Sequence, residues 1–223
     1  MLTKKHTAWK KNRKFGDKMG GRLRTKLEDN VFFRCHSLLP PSPDEVTPIY
    51  IVDNPSRDFY FPVSVEEVES ALLKLPKEHT EHLTHIWLKK IKKADYLTGD
   101  TFQACFINGS KIALVVLYPF PKDNMMRLGK TKPLDKILNS YKKYTTQFGE
   151  DETGWFLVWT KENVKKYYLE HLLLHVIGRS LDSFYKRYYS KTALQKRENF
   201  ANNYASVWMH NLTGTNTIDT TVE

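Results

Sequence analysis

Two long helical stretches close the sequence, and they constrain the fold of this chain more than any other feature. Glu162–Tyr189 and Ala193–His210 both read as helical, whereas the region before them alternates short β-rich runs with shorter helical ones. Strands with interspersed helices followed by C-terminal helices are typical of the α+β class. We therefore predict an α+β fold with a small mixed sheet, a β-hairpin and two long C-terminal helices.

One predicted strand pair is a hairpin in the middle of the chain. Asn108-Gly109-Ser110 separates the β-rich runs Thr101–Ile107 and Lys111–Tyr118. Because Asn and Gly tolerate the positive φ angles of a tight turn, we place the turn at these residues. The other predicted strands are Ile49–Val52, Thr84–Ile91 and Trp155–Trp159.

Two shorter helices are predicted before the C-terminal pair. Ser64 with Glu67 has the spacing of a capping box, which predicts a helix over Val65–Leu75 that Pro76 ends. Pro133 suits the first turn of a second helix, over Leu134–Phe148, that Gly149 ends.

Charge divides the chain into parts. Residues 1–30 contain ten Lys or Arg and three acidic residues, so they carry +7 of the formal net charge of +10. Residues 38–48 contain four prolines, and the last residues are small and polar. We predict a basic, flexible arm at 1–37, a Pro-rich linker at 38–48, a folded domain at 49–210 and a polar tail at 211–223.

The basic arm is a candidate nucleic-acid contact. Aromatic residues among many cations suit both phosphate contacts and base stacking. A solvated tail that only aids solubility is the alternative, and the sequence leaves both open. The residues expected to contact nucleic acid are Lys4, Lys5, Trp9, Lys10, Lys11, Arg13, Lys14, Arg22 and Arg24.

The sequence predicts a cytoplasmic protein without a membrane span. No run of about 18 apolar residues occurs, and no apolar segment follows the basic residues after Met1. Cys35 and Cys105 stand far apart and neither has a CxxC partner, which favours a reducing compartment over a disulfide framework.

A polar stripe marks the first C-terminal helix. His171, His175 and Arg179 follow one another at four-residue spacing, so they share one helix face, and Asp182 follows three residues later. These residues stand among Leu172, Leu173, Leu174 and Ile177.

The same segment resembles a known family. His175-Val176-Ile177-Gly178-Arg179 followed by Asp182 resembles the active-site helix of small zincins, which reads HEIGHxxD, and Glu198–Ala205 (ENFANNYA) resembles their second helix, ExFAxxYA. The matching region, 168–205, is about a fifth of the chain. The resemblance implies a zincin-like metallopeptidase domain.

The resemblance also implies a degenerate site. In the family two histidines and the downstream glutamate hold Zn²⁺, and the glutamate after the first histidine activates water. By position His175 and Glu198 match ligands, whereas Val176 stands at the base and Arg179 at the second ligand. Valine accepts no proton and a guanidinium stays charged. We therefore expect no catalysis and no cofactor, and interpret the domain as a pseudo-metallopeptidase that binds or scaffolds a protein or peptide.

Three interpretations of this stripe stay open. In the first, Arg179 pairs with Glu198 in place of the metal, with His175 hydrogen-bonded to the cluster and Asp182 beside Arg179. In the second, His171, His175 and Glu198 bind zinc in a divergent metal-dependent hydrolase. In the third, these are ordinary packed helix residues, with Arg179 and Asp182 an intrahelical pair.

A second group of histidines could be interpreted as a metal cluster, but its spacing favours a polar surface segment. His79, His82 and His85 lie three residues apart in a stretch that runs from a loop into a predicted strand, where this spacing does not converge. We predict a polar surface segment there.

Overall fold

The described residues form an α+β fold with three small sheets followed by C-terminal helices. A computed structural model describes residues 36–93, 96, 103–109, 111–145, 147–185 and 191–213. The predicted class, with small sheets followed by C-terminal helices, is confirmed.

The strands are β1 (Ile49–Val52), β2 (Phe59–Tyr60), β3 (His85–Leu88), β4 (Ala104–Gly109), β5 (Ile112–Leu117), β6 (Phe120–Pro121), β7 (Met125–Gly129), β8 (Gln147–Asp151) and β9 (Gly154–Val158). The helices are α1 (Val65–Leu72), α2 (Lys77–Thr80), α3 (Asp135–Tyr141), α4 (Lys161–Tyr167), a π-helical segment (Tyr168–Leu172), α5 (Leu173–Tyr185) and α6 (Lys191–Thr213).

The largest sheet has the strand order β1-β3-β5-β4. β1, β3 and β5 run parallel, and β4 pairs with β5 in the antiparallel sense. The apolar run of β5 is buried on both faces, as expected for a strand in a covered sheet. Val115 and Leu117 face the core shared with the helices, whereas Leu114 and Val116 face the other side, where Leu38 of the predicted linker packs.

The β4–β5 hairpin exists, but its turn lies later than predicted. Asn108 pairs with Ala113 and Gly109 with Ile112, so two of the three residues of the predicted turn belong to the strand. The chain reverses between Gly109 and Ile112, and Lys111 has a φ of 59°. Strand register therefore overrides the local preference of Asn-Gly for a turn.

A three-stranded sheet, β7-β9-β8, includes the predicted strand at Trp155–Trp159 and also β8, which begins inside the predicted helix Leu134–Phe148. The helix α3 ends at Tyr141, and Phe148 and Gly149 belong to β8. Phe148 stacks on Trp155 with ring centroids 4.8 Å apart, and a Cβ at Gly149 would come within 2.8 Å of the Phe156 ring. Cross-strand aromatic packing explains why this segment is a strand.

The first predicted helix begins as expected. The backbone N–H of Glu67 donates to Oγ of Ser64 at 3.3 Å, and the N–H of Ser64 donates to Oε2 of Glu67 at 3.0 Å, which confirms the capping box. The helix ends at Leu72, before the predicted end at Leu75.

The C-terminal helices cross closely. Leu173, Leu174 and Ile177 on α5 are fully buried, and α5 meets α6 at Gly178. A Cβ at Gly178 would lie 3.0 Å from both Cα of Ala201 and Cβ of Tyr204, so the two helices pack with almost no space between them. The predicted single helix over Glu162–Tyr189 is interrupted by the π-helical segment. Among the helices of the described residues, none has the length and apolar character needed to cross a bilayer.

Candidate functional site

The structure brings His175, Arg179 and Glu198 together where α5 faces α6. His175 and Arg179 lie one turn apart on α5, and Glu198 lies on α6. Nε2 of His175 is 3.3 Å from Oε2 of Glu198, and Nε of Arg179 is 3.3 Å from Oε1. Each oxygen of the carboxylate therefore faces a different side chain of α5.

The surrounding charges keep Glu198 ionised. A hydrogen bond with His175 lowers the pKa of Glu198, burial opposes this effect, and the charges of Arg179, His175 and Arg197 lower the pKa further. The side chain of Glu198 is 37% exposed, so solvent screens part of this interaction. The cluster holds an ionised carboxylate that is partly open to solvent.

Arg179 contacts Glu198 as an ion pair rather than through a well-formed hydrogen bond. Its Nε is buried and has no hydrogen-bond partner, although Oε1 of Glu198 lies only 3.3 Å away. The distance between Nε of Arg179 and Oε1 of Glu198 allows Coulombic attraction, but the Nε–H group donates no hydrogen bond to Glu198.

His171 lies in the π-helical segment and belongs to a ring stack. Its ring stacks on Tyr167 with centroids 5.5 Å apart and on His175 with centroids 5.9 Å apart. Burial, the charge of His175 and the charge of Lys143 lower the pKa of His171 to about 4, so the ring is neutral at pH 7. Its contacts within the described part of the chain are with rings, and Glu198 is not among its partners.

The donor set fits zinc poorly. Within the ranges that the structure describes, no group of three or more His, Cys, Asp and Glu side chains is arranged to hold a metal ion. The two residues that the resemblance matches to zinc ligands, His175 and Glu198, contact each other, and the residue matched to the second ligand, Arg179, is a permanent cation. Metal at this place would have to displace the ion pair.

Val176, at the position of the family's general base, is a core residue. Its side chain is 1% exposed and belongs to the cluster that includes Leu173 and Ile177. The side chain of Val176 therefore contributes to the packing of the core.

The remaining residues of the resemblance pack the helix crossing. Gly178 permits the close approach, and Ala201, Tyr204 and Ala205 are buried against it. Small residues at such a crossing serve packing whatever the ancestry of the helices.

The site also includes residues that sequence reasoning missed. Lys143 and Tyr144 follow α3, and Nζ of Lys143 lies 2.6 Å from Sδ of Met209 on α6. Tyr144 stacks on Trp159 and lies 6.4 Å, centroid to centroid, from His171. Their sequence neighbours predicted a helix, so no local signal linked them to the C-terminal helices.

The second histidine group is partly exposed at His79 and His82 and buried at His85. Nδ1 of His79 lies 2.9 Å from the hydroxyl of Tyr204, and Nε2 of His82 lies 2.9 Å from Oγ of Ser180. His85 is only 3% exposed, which makes the surface prediction wrong for this residue. Each ring has a separate neighbour, because α2, the following loop and β3 point them in different directions.

Two predicted groups fall outside the described residues. The side chain of Asp182 is one of them, although its backbone lies in α5. The other is the set of arm residues from Lys4 to Arg24.

Comparison with known proteins adds no relative. No family model, no curated protein and no solved structure matches the chain.

Proposed function

We propose that this chain is a non-catalytic, zincin-like binding module in which Arg179, Glu198 and His175 form an ion cluster in place of a metal centre. The observation that carries the proposal is that Arg179 and His175 each lie 3.3 Å from a different oxygen of Glu198. A half-buried carboxylate needs a partner, and a guanidinium, which cannot lose its charge, supplies one without metal.

The absence of a base supports the same proposal. Zinc hydrolysis needs a group that takes a proton from the metal-bound water. Val176 stands at that position and is buried in the core. The proposed role is therefore to bind a partner rather than to cleave it.

The partner we propose is an extended polypeptide. β4 is an outer strand of the largest sheet formed by the described residues, and it packs against α5. Strand addition at a sheet edge provides backbone hydrogen bonds to such a partner, with side-chain contacts giving selectivity.

Zinc binding tests the proposal. Wild type and an Arg179→His variant are stripped with EDTA, incubated with zinc, desalted and analysed for metal. We expect well below one zinc per chain in wild type and about one in Arg179→His, because the variant restores the second imidazole of a His, His, Glu set. The matched control is Arg57→His, which adds an imidazole at an exposed arginine elsewhere.

Two results would contradict the proposal. One zinc per chain in wild type, lost in both His171→Ala and His175→Ala, would support the metal-dependent hydrolase with His171, His175 and Glu198. Failure of folded Arg179→His to gain zinc over Arg57→His would show that these side chains do not occupy ligand positions.

A further inference from the structure

The ion cluster contains hydrogen-bond donors for which the described residues supply no acceptor. Nε of Arg179 is buried without a hydrogen-bond partner, and the guanidinium donates no hydrogen bond to the residues that the structure describes. Buried polar groups are nearly always hydrogen-bonded, so the buried Nε of Arg179, which has no hydrogen-bond partner, needs an explanation.

The guanidinium is also accessible. The side chain of Arg179 is 26% exposed and that of Glu198 is 37% exposed. Glu198 contacts the Nε side of Arg179, which leaves the terminal nitrogens for another acceptor. An arginine held in this way presents a planar pair of donors that matches the two oxygens of a carboxylate.

Among the described residues whose charges act on the cluster and the ring stack, cations outnumber acids. The charges of Arg179 and Arg197 act on Glu198, and the charge of Lys143 acts on His171 at the other end of the ring stack. Glu170 is the acid whose charge reaches the neighbouring Tyr144. A site with this balance favours an anionic ligand over a cationic one.

We propose that Arg179 is the anchor of a carboxylate-binding site, so that the peptide partner is recognised through an acidic side chain or its C-terminal carboxylate. This inference rests on the proposed function, because it assigns Arg179 to the partner rather than to a metal. Glu198 faces Arg179 and His175 from α6, so its carboxylate competes with that of the partner for the guanidinium.

Labelled peptides test the site and separate the two sources of carboxylate. Four fluorescein-labelled Ala/Gly hexapeptides are used: one with a free C terminus, one amidated, one amidated with a central Glu and one amidated with a central Gln. Binding to the full chain is measured by fluorescence polarisation in EDTA at low salt. We expect at least one carboxylate-bearing peptide to bind roughly 10- to 100-fold tighter than its neutral counterpart.

Variants of Arg179 and Glu198 test whether the ion cluster causes the difference in affinity between the carboxylate-bearing and neutral peptides. Arg179→Lys keeps the charge but loses the planar fork, so we expect roughly tenfold weaker binding of the preferred peptide. Glu198→Gln is nearly isosteric and removes the competing carboxylate, so we expect tighter binding, a direction that a merely structural role does not produce. Arg57→Lys is the matched control, and we expect it to bind as wild type does.

The outcomes are distinct. Equal affinity for charged and neutral peptides, or unchanged affinity in folded Arg179→Lys, overturns the carboxylate site and leaves the metal-free module standing. Carboxylate binding that appears only with added zinc and disappears in EDTA overturns both, because the metal is then the receptor.

Discussion

His171 takes its properties from the residues stacked on it. Burial and the neighbouring His175 and Lys143 lower its pKa to about 4, from a usual value of 6.5. Between these two pH values the unfolded chain binds a proton that the folded chain does not. The free energy of unfolding therefore falls as the pH drops from 6.5 to about 4.

We expect His171→Phe to remove this part of the pH dependence, which amounts to at most about 3 kcal/mol. Phenylalanine preserves a ring between Tyr167 and His175 but does not titrate. Urea unfolding at pH 7, 5.5 and 4.5 measures the effect. Glu198, whose pKa is lowered, loses its contribution only below about pH 4.5, so it does not obscure this window. A variant with the slope of wild type contradicts the assignment.

Gly178 sets the distance between α5 and α6. A methyl group there would meet Cα of Ala201 and Cβ of Tyr204 at 3.0 Å, and both belong to one helix, so the helix itself has to move. The gain in helix propensity from Gly to Ala is about 1 kcal/mol, whereas overpacking costs about 1–3 kcal/mol.

We therefore expect Gly178→Ala to lower the free energy of unfolding by about 1 kcal/mol, with a larger loss in Gly178→Val. Chemical denaturation gives both values. Asn202→Ala, at an exposed position of α6, is the control and leaves stability nearly unchanged. A Gly178→Ala protein more stable than wild type would show that the helices separate freely.

At the scale of single elements, the start of α1 is governed by its cap. Ser64 and Glu67 exchange hydrogen bonds that satisfy two backbone groups. We expect Ser64→Ala to lower the free energy of unfolding by about 1 kcal/mol. Ser70→Ala is the matched control, because it makes the same substitution at an exposed position inside the same helix and is neutral or slightly stabilising. Equal effects of the two substitutions would mean that the cap contributes nothing.

The elements that sequence reasoning predicted correctly are those with local causes. The capping box, the apolar strand β5 and the helical periodicity of α5 each depend on residues a few positions apart. β8 was missed because Phe148 and Gly149 are fixed by Trp155 and Phe156, which lie beyond the turn. The turn of the β4–β5 hairpin was misplaced because the register of the whole strand pair, not Asn108-Gly109, determines where the chain reverses.

In the candidate site, too, the features with local causes were predictable from the sequence and those that depend on distant residues were not. The four-residue spacing of His175 and Arg179 was sufficient to place them on one face. Their meeting with Glu198 depended on the crossing of α5 and α6, for which the sequence offered only the resemblance. No local sequence pattern predicts that Lys143 lies near the site. The π-helical segment that contains His171 has no such pattern either, because it amounts to one extra residue in an otherwise regular helix.

At the scale of the whole molecule, most of the net charge belongs to the first 30 residues of the sequence. Residues 1–30 hold +7 of the net +10, and they lie outside the described residues. Association driven by phosphate contacts weakens with salt in proportion to the number of cations involved. We therefore expect binding through the arm and binding through the rest of the chain to differ in salt dependence.

We propose that the arm binds single-stranded nucleic acid, and salt titration tests this directly. If about six of the ten cations contact phosphates, the slope of log K against log salt is about −4, and Arg13→Gln reduces its magnitude by about 0.7. Trp9→Ala weakens binding by about 1–3 kcal/mol without changing the slope, because stacking releases no counterions. Removing residues 1–30 abolishes most of both effects. A chain that binds no oligonucleotide at low salt, or one whose slope survives this deletion, indicates instead that the arm only aids solubility.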